Sequence, residues 1–94
     1  MPLLTLPNNK NNMDYPVTTA DQLTHILKGA RSQKNLSQKT IGNNIGLRQA
    51  AVSTVESAPG AVSLDRLLRV LSALELELVV RDIPAPGSLS KGEW

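Results

Sequence analysis

Two glycines four residues apart constrain the fold of this chain more than any other feature of its sequence. They lie within residues 38–56, which read QKTIGNNIGLRQAAVSTVE. Gly46, between two apolar residues, is suited to a tight turn because glycine adopts positive φ angles at little cost. Gly42 is small enough to let two chain segments cross closely. The pattern predicts two short helices, at about residues 38–44 and 48–57, that meet at a turn.

The residues on either side of this pair carry further secondary-structure signals. Thr18 or Thr19 caps a first helix whose apolar residues recur at helical spacing, and we expect it to end around residues 33–35. Ser37 and Ser63 are suited to cap the second and a fourth helix. Residues 75–82 then alternate between apolar and polar side chains, which is the period of a β-strand.

These signals divide the chain into four parts. We expect a flexible arm at 1–17, a helix-turn-helix domain at 18–74, a strand at 75–82 and a disordered tail at 83–94. The predicted fold is therefore mostly α, with four to five helices and one C-terminal β-strand. Its core has to be aliphatic, because the chain contains one Tyr, one Trp and no Phe.

Composition excludes several classes of function. The absence of Cys rules out disulfide scaffolds, thiolate zinc sites and cysteine nucleophiles, and a single His cannot build a metal site with other histidines. No phosphate-cradling glycine loop is present, so an enzyme is poorly supported and no metal or cofactor is expected. No apolar run reaches the ~18 residues of a membrane span. We expect a soluble cytoplasmic protein associated with the nucleoid.

The distribution of charge is more informative than the net charge of +2. Residues 22–55 contain no acidic side chain but carry five basic ones: Lys28, Arg31, Lys34, Lys39 and Arg48. A basic middle region suggests contact with a polyanion, and the alternative is a solvated basic helix face. We interpret Lys28, Arg31 and Lys34 as long-range steering or solubility charges. Glu56, directly after this region, is either a structural ion-pair partner or solvated.

The exposed face of the third helix is the predicted DNA-reading surface. Gln49 is the first candidate for base readout, since glutamine can donate to and accept from adenine at once. Arg48 reaches a guanine or a phosphate, and Ala50 either touches a thymine methyl group or only makes room. Ser53 and Thr54 are better suited to phosphate or backbone contacts. A helix-turn-helix of this shape can also serve as a protein-interaction module.

Several local motifs point to a known family. Ser-Gln opens the second helix at residues 37–38, Ile-Gly forms the turn at 45–46, and Gln-Ala begins the third helix at 49–50. Over residues 19–82 the chain resembles the lambda-repressor-like (Xre) helix-turn-helix family and, within it, the HipB-type antitoxins. Gly42 replaces the alanine that is common in that family. The resemblance implies that Gln38 and Lys39 contact phosphates at the start of the second helix.

A single strand cannot satisfy its edges within one chain, so the sequence also predicts a homodimer. Residues 76–82 would pair antiparallel with the same segment of a second copy, with Leu76, Leu78 and Val80 on one face. The alternative partner is residues 3–6. A dimeric helix-turn-helix protein reads a palindromic operator in double-stranded DNA.

Trp94 is the only tryptophan and lies far from the predicted helices in sequence, after Pro84, Pro86 and Gly92. A large aromatic residue in such a place is suited to anchor in a partner's pocket, and the alternative is an unconstrained terminal residue. The family resemblance implies that the pocket belongs to a HipA-like serine/threonine kinase toxin. Two functions follow: an antitoxin that also represses its own operon, or a stand-alone Xre-type repressor without a toxin.

Overall fold

The computed structural model describes residues 13–84, which form four helices and one short 3-10 turn. The helices are α1 (Ala20–Gln33), α2 (Gln38–Ile45), α3 (Gln49–Ser57) and α4 (Leu64–Ala73), with the 3-10 turn (Pro59–Ala61) between α3 and α4. The predicted four-helix, helix-turn-helix architecture is therefore confirmed. Residues 3–6 and Trp94, for which a strand and a partner contact are predicted, lie outside the described residues.

Side-chain caps fix where three of the helices begin. Thr19 caps α1 in a capping box, in which its hydroxyl accepts from the Gln22 backbone N–H and the Gln22 side chain accepts from the Thr19 N–H, both at 3.2 Å. The hydroxyls of Ser37 and Ser63 accept backbone N–H groups at the starts of α2 and α4. Arg48 lies at the cap position of α3 without such a bond, so that helix begins one residue later than predicted.

The two glycines of α2 and its turn behave as the sequence predicts. Gly46 ends α2 with φ 74°, in the left-handed region. A Cβ atom added to Gly42 would overlap the carbonyl oxygen of Leu47 and lie 3.4 Å from a methyl carbon of Val52. The absence of a side chain at Gly42 therefore lets the turn fold back over α2 and brings α3 close to it.

The core is aliphatic and draws on all four helices. Buried side chains from α1, α2 and α3 meet a larger set from α4 and the residue that follows it: Leu27, Ile41, Val52, Val55, Leu67, Val70, Leu71 and Leu74. Burial of this apolar surface is the main force that holds the short helices together, since helices of this length are marginal in water by themselves. None of the helices in residues 13–84 is long and apolar enough to cross a membrane.

The chain closes α4 with a left-handed turn at Glu75, where the predicted strand begins. Glu75 has φ 61°, and the N–H groups of Glu75 and Leu76 donate to Ser72 and Leu71 at 3.0 and 2.9 Å, which closes the helix. This conformation is left-handed and not extended, so Glu75 belongs to the end of α4 in the single chain. Residues 13–84 of the single chain contain no β-strand. Pairing of residues 76–82 with a second copy stays a prediction.

Residues 13–17 and 76–84 line a groove together with side chains of α1 and α4. The two segments are joined by an ion pair between Arg81 and Asp14, with the nitrogen and oxygen 3.1 Å apart. Leu76 packs against the core, whereas Leu78 is 51% exposed and Val80 is 94% exposed. The predicted dimerisation residues thus divide into one that supports the single chain and two that the single chain leaves open to solvent.

Candidate nucleic-acid interface

The outward face of α3 carries most of the predicted base-reading residues. Gln49 and Ala50 form the start of the helix, and Arg48 precedes them at the cap position; all three are exposed. Thr54 is also exposed one turn later, and Ser53 is half-buried. The helix therefore offers a short polar surface, widest at its N-terminal end, which is the end that reaches base edges when such a helix enters a major groove.

The hydroxyl groups of α3 differ in what they can still donate. Thr54 donates its hydroxyl hydrogen to the carbonyl oxygen of Ala50 at 3.1 Å, and Ser57 donates to Ser53 in the same way at 2.9 Å. A phosphate oxygen needs a donor, so Thr54 would have to give up its intrahelical bond to contact one. Among the described residues, Ser53 makes no such bond, which leaves its hydroxyl the better phosphate donor of the two.

The start of α2 lies beside this face and contributes Gln38 and Lys39. Lys39 is exposed and makes no ion pair with any described residue. Gln38 is half-buried; its amide nitrogen donates to Glu56 at 3.0 Å, and its amide oxygen lies 3.5 Å from the amide nitrogen of Gln49. The structure thus brings together the two glutamines that the sequence assigned to different roles.

Glu56 is fully buried and contacts side chains of both α1 and α2. Its Oε2 accepts from Nε of Arg31 at 2.6 Å, across 25 residues of sequence. Arg31 also donates from Nη1 to the carbonyl oxygen of Leu36 at 3.1 Å, and so fixes the connection between α1 and α2. Of the two alternatives for Glu56, the structural ion pair is confirmed. The interpretation of Arg31 as a steering or solubility charge is wrong.

A second basic side chain is also in contact with a carboxylate. Lys34 lies 3.1 Å from Glu75, an exposed pair that joins the end of α1 to the end of α4. Lys28, Lys39 and Arg48 make no ion pair with any described residue. Because Arg31 neutralises Glu56, no uncompensated acidic side chain belongs to α2 or α3, and Lys39 and Arg48 give this surface a net positive charge.

The burial of Glu56 has a signal in the sequence that charge counting overlooks. Val52, Val55 and Glu56 fall at the spacing of one helical stripe, so the carboxylate shares the inward face of α3 with two valines. A carboxylate on an inward face requires a cation or several hydrogen bonds. The position of Arg31 as its partner follows only from the crossing of α1 and α3, which no local pattern specifies.

A family model described as helix-turn-helix matches residues 27–80, more than half of the chain. The chain belongs to the helix-turn-helix family. Two curated relatives of this family member are both named Antitoxin HipB. The protein from Escherichia coli O6:H1 strain CFT073 is 33% identical over 61 residues, which are 65% of this chain and 65% of that protein. The protein from Escherichia coli K12 is 31% identical over 61 residues, 65% of this chain and 69% of that protein.

Solved structures of HipB complexes are also similar to this chain. A HipB-O4 20mer complex superposes with a TM-score of 0.67 at 28% identity, covering 71% of this chain and 94% of the compared chain. A HipA-HipB-O2-O3 complex superposes with a TM-score of 0.68 at 28% identity and the same coverage. The predicted resemblance to Xre-type helix-turn-helix proteins of the HipB type is confirmed. The aligned stretch spans just under two thirds of the first relative's length.

Proposed function

We propose that this chain is a dimeric antitoxin that represses its own operon by binding a palindromic operator and that neutralises a HipA-like serine/threonine kinase toxin. One observation carries the DNA-binding part of the proposal. The exposed start of α3 presents Gln49 between Arg48 and Ala50, and the start of α2 adds the exposed Lys39; the one acidic side chain of these two helices, Glu56, is buried and neutralised. The solved HipB complexes with operator DNA and with HipA support the two partners.

In this proposal α3 enters the major groove and Gln49 reads a base. A glutamine amide donates to N7 and accepts from N6 of adenine, a pairing that discriminates by ~1–3 kcal/mol. Ala50 lies next to Gln49 and can contact a thymine methyl group without adding bulk. Arg48 and Ser53 flank them as contacts to a guanine or to phosphates. Thr54 contacts the backbone only after its intrahelical bond is released.

Lys39 and Gln38 hold the start of α2 against a phosphate. The amide N–H groups at a helix N-terminus and the positive end of the helix dipole both favour an anion there. Lys39 adds a full charge, and Gln38 has a second amide hydrogen besides the one that it donates to Glu56. These contacts would fix the position of α3 in the groove without reading sequence.

The dimer forms, in this proposal, by antiparallel pairing of residues 76–82 with the same segment of a second copy. Leu78 and Val80 support this, because the single chain leaves both exposed while the alternating pattern puts them on the same face as Leu76. Pairing would satisfy the backbone groups of this segment and cover apolar side chains. The two-fold axis would present two α3 helices to the two halves of a palindrome.

Trp94 is proposed to contact the kinase toxin, and the stand-alone repressor is the second candidate function. Removal of residues 93–94 separates the two functions when the chain is tested with a HipA-like kinase. An antitoxin loses affinity for the kinase and keeps its affinity for DNA. If the affinity for the kinase is unchanged, Trp94 is an unconstrained terminal residue. If the chain binds no kinase at all, the stand-alone repressor is favoured.

Substitution of Gln49 and Lys39 tests whether Gln49 reads a base while Lys39 contacts only a phosphate. Gln49→Ala is expected to cost roughly 1–3 kcal/mol on the cognate operator and to relax the base preference at one position. Lys39→Ala is the control from the adjacent helix: it should weaken binding to all sequences alike and lower the salt slope by about one. The measurement is the Kd on cognate and random duplexes across salt. Equal losses of Gln49→Ala on both duplexes would remove Gln49 from readout.

A further inference from the structure

We infer that Glu77 and Arg81 are the residues by which two copies of this chain select each other: Glu77 of each copy pairs with Arg81 of the partner subunit across a two-fold axis at Val79. The inference deepens the proposed function and rests on it, because it assumes that residues 76–82 pair with the same segment of a second copy. It starts from the order of the charges. Residues 77–81 read ELVVR, so the segment is complementary in charge to its own reverse.

Residues 76–82 are available for pairing in the single chain. Within the described part of the chain, no backbone hydrogen bond joins residues 77–82 to another segment. None of residues 76–82 has a positive φ angle, which leaves the extended conformation open to all of them. Leu78, Val79 and Val80 are exposed. The segment therefore keeps both its backbone groups and its apolar side chains for a partner.

Two-fold symmetry limits the registers in which the segment can pair with itself. An axis perpendicular to the sheet keeps the apolar faces of both strands on the same side, and residues equally far from the axis then face each other. With the axis at Val79, position 77 faces 81, position 78 faces 80, and Asp82 faces Leu76 at each end. Glu77 thus faces Arg81 of the partner subunit twice. Side chains directly opposite each other have Cβ atoms about 4.5–5.5 Å apart, within reach of an ion pair.

The two neighbouring registers lose this match. An axis at Leu78 brings position 81 against Glu75, which lies in the left-handed turn that closes α4, and it leaves Glu77 opposite a valine. An axis at Val80 leaves Arg81 opposite a valine as well. Of the three registers, the axis at Val79 alone places opposite charges face to face within residues 76–82.

Glu77 and Arg81 can both form these pairs from their positions in the single chain. Glu77 is exposed and makes no ion pair with any described residue. Arg81 contacts Asp14 through Nη2, and its side chain is 64% exposed in that pair. A guanidinium has five N–H donors, so Arg81 can bind Glu77 of the partner subunit while it keeps Asp14. A strand with like charges at these positions would be rejected, since like charges directly opposite each other are destabilising.

Charge exchange in the full-length protein tests the inference. Glu77→Arg places two cations opposite each other on both sides of the axis, and Arg81→Glu places two carboxylates there. Either variant alone should weaken the dimer about tenfold or more, because two attractive pairs become repulsive. Arg81→Glu also loses the contact with Asp14, but this loss is the same in monomer and dimer and cancels from the dimer Kd.

An equal mixture of the two variants should restore pairing. One chain then carries two cations and the other carries two carboxylates that face them. We expect a heterodimer that is more stable than both homodimers and within about threefold of the wild-type dimer. Analytical ultracentrifugation gives the dimer Kd values, and native mass spectrometry separates the heterodimer from the two homodimers by mass.

Glu75→Arg is the matched control, because Glu75 is an exposed carboxylate two residues before Glu77 and outside the paired region. Mixed with Arg81→Glu, it should form a heterodimer whose stability lies between those of the two homodimers. A heterodimer more stable than both in this mixture would place the axis at Leu78 and overturn the inference. A mixture of Glu77→Arg and Arg81→Glu whose heterodimer is no more stable than the homodimers would overturn it too.

Failure of the inference and failure of the proposed function give different results. A wild-type protein that is monomeric contradicts the proposed dimer itself, before any variant is compared. A wild-type dimer whose charge variants do not complement each other contradicts only the register and the roles of Glu77 and Arg81.

Discussion

At the scale of single residues, two glycines in helices distinguish two contributions to stability, backbone helix propensity and side-chain packing. Gly29 in α1 has no atom within 4 Å of an added Cβ, whereas at Gly42 an added Cβ would overlap the carbonyl oxygen of Leu47. Gly29→Ala should raise the free energy of unfolding by about 0.5–1 kcal/mol, because alanine loses less backbone entropy. Gly42→Ala should lower it by about 1–3 kcal/mol, because the turn has to move.

Urea denaturation of the two variants and the wild type measures this difference directly. The same chemical change is made in both helices, so the propensity gain is shared and the packing cost is present only at Gly42. Alanine is common in the family at this position, so the test asks whether this chain in particular requires glycine there. A stabilising Gly42→Ala would mean that the turn around Leu47 adjusts without loss.

The ion-pair partner of Arg31 could not be predicted from the sequence. Charge counting places it in a basic region and predicts a free cation, yet it is the partner of a buried carboxylate 25 residues away. Helical spacing of Glu56 with Val52 and Val55 indicates that the carboxylate faces inward, and so that it needs a partner. Which of the five basic side chains supplies the partner depends on the crossing of α1 and α3, and that is a property of the folded chain.

At the scale of elements, the ends of α1 and α4 share one unusual feature. Asn35 and Glu75 follow these helices with φ 55° and 61°, and both adopt the left-handed conformation that favours glycine. Asparagine tolerates this conformation, but glutamate gains nothing from it. Glu75→Gly should therefore raise the thermal midpoint by a few degrees, corresponding to about 1 kcal/mol.

Lys34→Ala controls for the ion pair that Glu75→Gly also removes. Glu75 is 80% exposed in this pair, and exposed pairs contribute little to stability. The lysine variant should unfold close to the wild-type temperature in a scanning measurement. A lower midpoint for Glu75→Gly than for Lys34→Ala would show that the conformation of residue 75 costs less than assumed.

Helix boundaries were predictable where a side chain itself makes the cap. Ser37 and Ser63 bind backbone N–H groups at the positions that the sequence assigns to them, and Gly46 takes the positive φ of the turn. Glu75 was not predictable, because its left-handed conformation comes from the closing bonds of α4 and its residue type gives no sign of it. The alternating pattern runs through Glu75 and so predicts an extended conformation where the chain has a left-handed turn.

At the scale of the whole molecule, the proposed dimer makes Leu78 a critical residue. Leu78→Asp should give monomers in light scattering, because a carboxylate would replace an apolar contact at the two-fold interface. Loss of the second α3 helix should weaken operator binding by about 100-fold or more. Leu64→Asp is the matched control: Leu64 of α4 is 59% exposed and lies outside residues 76–82. An unchanged dimer mass for Leu78→Asp would exclude pairing through this segment.

Sequence-specific DNA binding through α3 is the central claim, and selection of duplexes from a random DNA pool tests it most directly. The purified full-length protein is used at near-physiological salt, with Gln49→Ala selected in parallel. The account predicts an enriched palindrome for the wild type and the loss of preference at one position of each half-site for the variant. A folded wild-type protein that enriches no sequence would contradict the account and make protein partners the main role of this surface.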